Sequence, residues 1–343
     1  MKKIITAMAF AIAGATAASA QAQADEIVKL QMDTRLDYQR DYLDGTTVKD
    51  NTGFEGKFLN IRLDGNINDQ ISYSWRQRLN KKHSDGSFFD ATDWIYLNYK
   101  YDDRWSFSAG KEVVKIGSWE YDRAPIDIYA GSVFWNNIPC YQIGGSATYK
   151  LTASDALSIQ FCQSPFFTET NRDLYSYNLY WQGSHGILST IWSANLIEYQ
   201  AGHYISYLSL GNRFNMGNTT LEFDIMNRAS SHQGYFFKDC SLMGELSFRP
   251  SQKVTLHAKG TYDVNHSGNN ADFCVLDGTE LTMAGGGIEY YPLRSDSQAL
   301  RIHASCYYSW GKNANPANSM QDKSLLMSVG IKWNMNLLSL KRN

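Results

Sequence analysis

Apolar and polar side chains alternate from Val28 almost to the end of the chain, and this pattern limits the folds that the chain can adopt. The apolar face of the first segment carries Val28, Leu30, Met32, Leu36 and Tyr38. Its polar face carries Lys29, Gln31, Asp33, Arg35, Asp37 and Gln39. Neighbouring side chains of a strand point to opposite faces, whereas a helical face recurs every three or four residues. The pattern therefore predicts β-strands with one apolar and one polar face.

About sixteen such strands follow one another. They are predicted near residues 28–39, 59–67, 71–80, 92–101, 105–113, 141–151, 156–164, 174–182, 187–195, 204–214, 218–227, 239–249, 253–263, 281–291, 299–309 and 324–334. Most have the length of a tilted strand that crosses a bilayer, about 9–11 residues. Short polar connections alternate with longer ones, as in outer-membrane barrels. We therefore predict an all-β protein, a transmembrane antiparallel up-and-down β-barrel whose apolar side chains face lipid.

Composition excludes two other classes of protein. No stretch of about 18 apolar residues occurs after the first 20 positions, and the mean hydropathy is −0.40, which argues against a bundle of membrane-spanning helices. Lys and Arg number 32 against 34 Asp and Glu, so the chain has no basic footprint for nucleic acid. A soluble β-sandwich remains an alternative. Aromatic residues near the strand ends favour the barrel, because such rings form girdles at the membrane interfaces.

The first twenty residues have the layout of a bacterial secretion signal. Lys2 and Lys3 are followed by an apolar segment over residues 4–17 and by the small-residue sequence Ala18-Ser19-Ala20. We expect cleavage after Ala20, which leaves residues 21–343 as a single outer-membrane domain. The protein would then work in the outer membrane of a Gram-negative bacterium.

Motifs for catalysis, metal binding or disulfide formation are not apparent in the sequence. The five cysteines are scattered and odd in number, which argues against a disulfide framework, although a Cys140–Cys162 bridge between neighbouring strands is conceivable. No G-x-S-x-G, H-E-x-x-H or P-loop sequence occurs, and no histidines lie at metal-ligand spacing. We therefore predict no enzymatic activity, no metal and no cofactor.

A barrel of this size has a water-filled lumen, which makes the polar face of each strand the functional surface. The long connection at residues 114–140 is charged and is expected to fold inward and narrow the pore, as charge at a constriction acts strongly on a permeant ion. An ordinary surface loop is the alternative. The predicted lining of this constriction is Lys111, Lys115 and Arg123 with Arg62, Arg76 and Arg78 on the facing wall, opposed by Glu120 and Asp122.

The passages from Asp90 to Lys111 and from Ala109 to Tyr129 resemble those of the phosphate-selective porin O and P family, in the form found in Bacteroidetes-type outer-membrane porins. Gly110-Lys111-Glu112 and Gly117 occupy the places at which a strand of such porins feeds an inward loop, and Trp75–Leu79 also fits. The resemblance implies a sixteen-stranded, trimeric channel for small solutes, with a preference for anions or phosphate. Phosphate-selective members line the pore with lysine clusters, which this chain lacks.

These observations together predict an outer-membrane porin for passive diffusion of small hydrophilic solutes, with a weak preference for anions. A structural or adhesin barrel without an open pore is the main alternative. A barrel hydrolase is a further one, and conductance discriminates between a channel and both of them.

Overall fold

The structure is a computed structural model that describes residues 26–81, 89–168, 170–231, 233, 237–293, 299–317 and 320–342. The predicted signal segment, residues 1–20, lies outside these residues. Within the described part of the chain, no helix has the length and apolar character needed to cross a membrane.

A single antiparallel sheet of 17 strands closes on itself. The strands are β1 (Glu26–Leu43), β2 (Thr46–Thr47), β3 (Gly53–Asn66), β4 (Ile71–Arg78), β5 (Thr92–Lys100), β6 (Trp105–Val113), β7 (Tyr141–Lys150), β8 (Asp155–Gln163), β9 (Tyr175–His185), β10 (Leu188–Gln200), β11 (His203–Met216), β12 (Thr219–Ser230), β13 (Asp239–Ser251), β14 (Val254–Asn265), β15 (Thr279–Tyr290), β16 (Leu300–Lys312) and β17 (Ser324–Lys341). β1 pairs with both β3 and β17, so a ring of 16 strands forms, with the two-residue β2 outside it. The predicted fold class is confirmed.

Each predicted strand overlaps one strand of the ring, but some strands are longer than their alternating pattern. β3 begins at Gly53, and β17 continues past residue 334 to Lys341. The added part of β17 does not alternate regularly, yet it pairs with the start of β1, where Glu26 lies opposite Lys341. Hydrogen bonding to the neighbouring strand extends these segments beyond the point at which their own pattern ends.

The two faces of the barrel wall differ as the alternation predicts. On the outer face, Leu97 and Ile159 are 53% and 60% exposed. On the inner face, Asp37 and Asn178 are buried, and both lie in strands whose alternate residues face outward. A sheet in lipid must pair all its backbone groups, which closure achieves.

All five cysteines are free, so the conceivable Cys140–Cys162 bridge is absent.

Part of the lumen is filled by an apolar core. Buried residues of the segment between β6 and β7, such as Val114 and Phe134, pack with Ile197 of β10 and Tyr207 of β11. Val275, from the connection between β14 and β15, completes this core. This core narrows the lumen without filling it, because cavities remain between it and the barrel wall.

Candidate functional site

Residues 114–140 fold into the barrel, as the sequence predicts. The segment contains two short helices, α1 (Trp119–Asp122) and α2 (Val133–Asn137), with a 3-10 turn at Pro125–Asp127 between them. Each helix begins where a serine hydroxyl accepts a hydrogen bond from the backbone N–H three residues later, from Tyr121 to Ser118 and from Trp135 to Ser132. We call residues 114–140 the inner loop.

Gly117 allows the inner loop to lie directly against the backbone of β10. Its N–H donates to the Ser193 hydroxyl over 2.9 Å, and its carbonyl accepts from the Ser209 hydroxyl over 2.8 Å. A Cβ at this position would come within 2.7 Å of the backbone of Ile191 and Ser193. Only glycine fits this contact without displacing the loop or the strand.

Ion pairs attach the inner loop to the wall from β12 to β17. Glu120 pairs with Lys259 of β14 over 2.6 Å. Arg123 pairs with Glu222 and Glu245 over 2.5 and 2.6 Å. Burial opposes the charge of Arg123, but the two carboxylates hold the pKa of this guanidinium above its usual value.

Asp127 extends this attachment toward the end of the chain. Its Oδ1 contacts Arg301 of β16 over 2.8 Å and Lys332 of β17 over 2.6 Å. Burial raises the pKa of this carboxyl, yet the attraction of Lys332 and Arg301 outweighs burial and brings the pKa below its usual value. The carboxylate form, and with it the attachment, is therefore favoured.

Tyr129 joins the inner loop to the wall through its hydroxyl and through its ring. Its hydroxyl donates to Glu289 over 2.7 Å, and its ring stacks on His257 with a centroid distance of 5.1 Å. The guanidinium groups of Arg35 and Arg301 lie 4.7 and 5.4 Å from the ring centre. Cation–π contacts of this kind stabilise a ring between strands that are distant in sequence.

Three adjoining cavities run through the barrel. The cavity nearest the long connections has a volume of about 280 Å³ and meets the second, of about 400 Å³, at Pro125 and Trp135. The second shares Arg62, Tyr96 and Lys115 with a third cavity of about 510 Å³ near the short turns. We call the second cavity the constriction cavity, because it lies between the inner loop and the wall.

The wall of the constriction cavity carries two arginines side by side. Arg62 of β3 lies directly opposite Arg76 of β4, which lies opposite Trp94 of β5. Arg76 donates to Asp93 over 2.9 Å and stacks on Trp94 with its guanidinium 3.8 Å from the ring centre. Arg62 pairs with Asp64 through Nε, and its side chain remains 39% exposed.

The inner loop faces this wall with Lys115 and Asp122. The Lys115 ammonium lies 5.6 Å from the ring centre of Tyr180, while its backbone is fixed by Gln160 and Asn195. Enclosure by the barrel raises the pKa of the Asp122 carboxyl above its usual value. The structure thus brings together Arg62, Arg76, Lys115, Asp122 and Arg123 of the predicted lining.

Lys111 does not join this group. It lies opposite Ile95 and Ile143 in the sheet, and both of these side chains are exposed on the outer face. Its ammonium donates instead to the Phe89 carbonyl over 3.0 Å. The expectation that Lys111 lines the pore is corrected, because alternation along β6 turns Ser108 and Glu112 inward and Lys111 outward.

Glu120 and Arg78 also lie outside the constriction cavity. Glu120 is 4% exposed and accepts hydrogen bonds from the Ser132 N–H and hydroxyl, so it anchors the loop rather than opposing the arginines. Arg78 pairs with Asp93 over 3.2 Å, and its guanidinium lies 5.5 Å from the ring centre of Phe58. The place of Glu120 therefore differs from the expected one, and the role of Arg78 in the pore stays a prediction.

Sequence reasoning missed the aromatic and acidic members of the site. Trp94, Tyr96 and Glu112 line the constriction cavity. The alternation of side chains along β5 could have predicted the place of Trp94 and Tyr96. Ile95 and Leu97 face outward, so the residues at 94 and 96 face the lumen.

A closed sixteen-stranded barrel with an apolar outer face and a charged loop folded into an aqueous lumen defines a porin-type channel. The model of the family described as phosphate-selective porin O and P matches residues 28–187, which include the inner loop and strands β3 to β8 beside the cavities. This match confirms the family resemblance over residues 28–187, and the fold is that of an outer-membrane porin. The narrower, Bacteroidetes-type resemblance stays a prediction.

Solved barrels share the fold at low sequence identity. The outer membrane channel DcaP of Acinetobacter baumannii has a TM-score of 0.63 at 11% identity, covering 91% of this chain and 98% of that chain. OmpT of Vibrio cholerae has a TM-score of 0.59 at 13% identity, with coverages of 90% and 97%. A mutant of the Rh. blastica porin has a TM-score of 0.57 at 13% identity, with coverages of 90% and 100%. No curated protein sequence matches the chain.

Proposed function

We propose that this porin conducts small hydrophilic solutes passively between the inner loop and the wall formed by β3 to β8, with a weak preference for anions. The observation that carries the proposal is the lining of the constriction cavity. Its basic side chains are Arg62, Arg76, Lys115 and Arg123, and its acidic side chains are Glu112 and Asp122. The excess of basic groups favours anions in a confined space where the field of each charge is strong.

The acidic groups keep this preference weak. Asp64 pairs with Arg62 over 2.6 Å, and Asp93 pairs with Arg76 over 2.9 Å. Glu112 accepts hydrogen bonds from Ser108 and Gln160 close to Lys115. Because each cation has a carboxylate nearby, the site lacks the dense positive charge that a multiply charged phosphate requires. We therefore propose general diffusion with anion preference rather than phosphate specificity.

Reversal potentials across planar bilayers under a potassium chloride gradient test this proposal. We expect a potential of anion-selective sign, and expect Arg62→Gln and Lys115→Gln each to reduce the chloride-to-potassium permeability ratio by about two- to fivefold, the effect of one charge in an aqueous pore. Lys111→Gln is the matched control, since Lys111 faces outward, and its ratio should equal that of the unmodified protein.

Two results contradict the proposal. A cation-selective potential in the unmodified protein rules out the anion preference. Absence of conductance favours the structural-barrel alternative. We infer that transport involves no chemical step, and the porin family and fold support this inference.

We further propose a homotrimer in outer-membrane lipid, exported after removal of residues 1–20. A solved form of Vibrio cholerae OmpT is described as a trimer, with a TM-score of 0.60 at 13% identity and coverages of 91% and 100%. Mass measurement of the detergent complex tests the number of copies, with a monomeric mass contradicting the trimer. Sequencing of the N-terminus tests the cleavage, and a chain that begins at Met1 contradicts it.

A further inference from the structure

The constriction cavity combines cationic side chains that keep hydrogen-bond donors available with aromatic rings, and this combination suits one class of solute. We propose that it is a binding subsite for organic carboxylates that carry a flat ring. The inference rests on the proposed anion passage and goes further, because it names the solute that the passage retains.

Aromatic side chains are concentrated in this cavity. Its rings are those of Trp94, Tyr96, Tyr121, Trp135, Tyr141 and Tyr180. The adjoining cavity near the short turns is lined mainly by small polar groups, among them Ser72, Ser106 and Thr148. A hydrated inorganic ion gains little from aromatic faces, whereas a flat ring gains dispersion and stacking contacts. The aromatic side chains of the constriction cavity therefore favour binding of solutes that carry a ring.

Two cations of the cavity keep hydrogen-bond donors available. Arg62 contacts Asp64 through Nε, and its guanidinium lies 5.6 Å from the ring centre of Trp94. Among the described residues, the Lys115 ammonium forms no hydrogen bond or ion pair, and it lies 5.6 Å from the ring centre of Tyr180. A guanidinium offers paired donors that match the two oxygens of a carboxylate. Arg62 lies on the wall and Lys115 on the inner loop, and both line the constriction cavity that the carboxylate would enter.

Arg76 organises the aromatic side of the subsite. Its guanidinium is held by Asp93 and by the Tyr141 hydroxyl, 2.9 and 2.5 Å away, and it stacks on Trp94. The rings of Trp94 and Tyr141 are thereby fixed with their centroids 6.0 Å apart. The cavity volume of about 400 Å³ suits a small organic molecule. Rigid rings next to free donors provide contacts for both ends of an aromatic carboxylate.

Single-channel recording with benzoate, acetate and inorganic phosphate at equal ionic strength tests the proposal. We expect benzoate to interrupt the current at about tenfold lower concentration than acetate, the ratio that one aromatic contact supplies. Phosphate should interrupt the current at about the same concentration as acetate. Benzyl alcohol, which has the ring without the charge, should interrupt the current less than benzoate does.

Two variants assign the effect to the cavity. In Trp94→Leu, benzoate and acetate should interrupt the current at nearly equal concentrations, so the ratio of these two concentrations is close to one. Tyr96→Leu provides a second variant if the first does not insert into the bilayer. Trp105→Leu is the control, because Trp105 lies on the outer face and should leave the ratio unchanged.

The inference is overturned if benzoate and acetate act alike on the unmodified channel, or if the benzoate ratio survives both cavity variants. Reversal potentials of the same channels report the proposed anion preference separately. A benzoate effect without anion selectivity contradicts the proposed function alone. Anion selectivity without a benzoate effect contradicts the subsite alone.

Discussion

Glu120 of the inner loop and Lys259 of β14 form an ion pair of 2.6 Å inside the barrel, with side chains only 4% and 2% exposed. Lys259 also donates to the Ala130 carbonyl over 2.7 Å, and Glu120 accepts two hydrogen bonds from Ser132. The pair therefore joins both halves of the loop to one strand. A buried pair of this kind is costly to break, because the remaining charge stays buried without its partner.

Replacing one member of this pair should loosen the inner loop. We expect Lys259→Met to lower the free energy of unfolding by about 3–5 kcal/mol, since it leaves the Glu120 carboxylate buried and unpaired. Urea unfolding in lipid vesicles measures this loss, and noise in the open-channel current measures loop motion. The double variant with Glu120→Gln should recover part of the stability. An equal effect of Glu120→Gln in the unmodified protein and in Lys259→Met would show that the two groups are not coupled.

The Tyr129 ring separates two cavities. The cavity near the long connections and another of about 280 Å³ beneath the loop both contact Ile128, Tyr129 and Ala130. We expect Tyr129→Ala to join them and increase single-channel conductance, whereas Tyr129→Phe keeps the barrier and loses only the hydrogen bond to Glu289. A conductance of Tyr129→Ala equal to that of Tyr129→Phe, with both barrels inserted, would contradict this role of the ring.

Anion preference should increase as pH falls into the mildly acidic range. The pKa of Asp122 is raised, so this carboxyl loses its negative charge at a higher pH than an ordinary aspartate. The pKa of Asp127 is lowered, so the attachment of the loop persists to lower pH. Reversal potentials measured from pH 7 downward test whether Asp122 loses its charge before the attachment through Asp127 is lost. Asp122→Asn is the control. A pH response in Asp122→Asn as large as that of the unmodified channel would assign the titration to another group.

Gly117 should not tolerate a larger residue. In Gly117→Val, the Cβ would lie 2.7 Å from the backbone of β10, so the inner loop must move away from its place. We expect altered conductance and faster proteolysis within residues 114–140, measured on barrels in detergent. Gly217→Asn serves as a control, because this turn glycine has a φ of +65°, which asparagine tolerates, and nothing lies within 4 Å of its Cβ position. Unchanged conductance in Gly117→Val would show that the loop accommodates the side chain elsewhere.

The alternation of side chains determined the strands, their number and the class of protein. A strand with one apolar and one polar face needs lipid or a core on one side, and this requirement is visible in the order of residues. The inward path of residues 114–140 was predictable from its length and charge. The alternation along β6 also places Lys111 outside and Glu112 inside, which differs from the predicted pore lining.

Only the tertiary structure decided which charges face the passage and which hold the loop. Glu120 and Asp122 are two residues apart, yet the first is buried against Lys259 and the second faces the lumen. The ion-pair partner of Glu120 lies on a strand more than 90 residues away along the chain, as does that of Arg123, which pairs with Glu222. Closure of the barrel brings these strands together, and the path of the loop across the lumen selects the contacts. Neither is encoded in the local spacing of residues, because both depend on which distant strands the barrel places side by side.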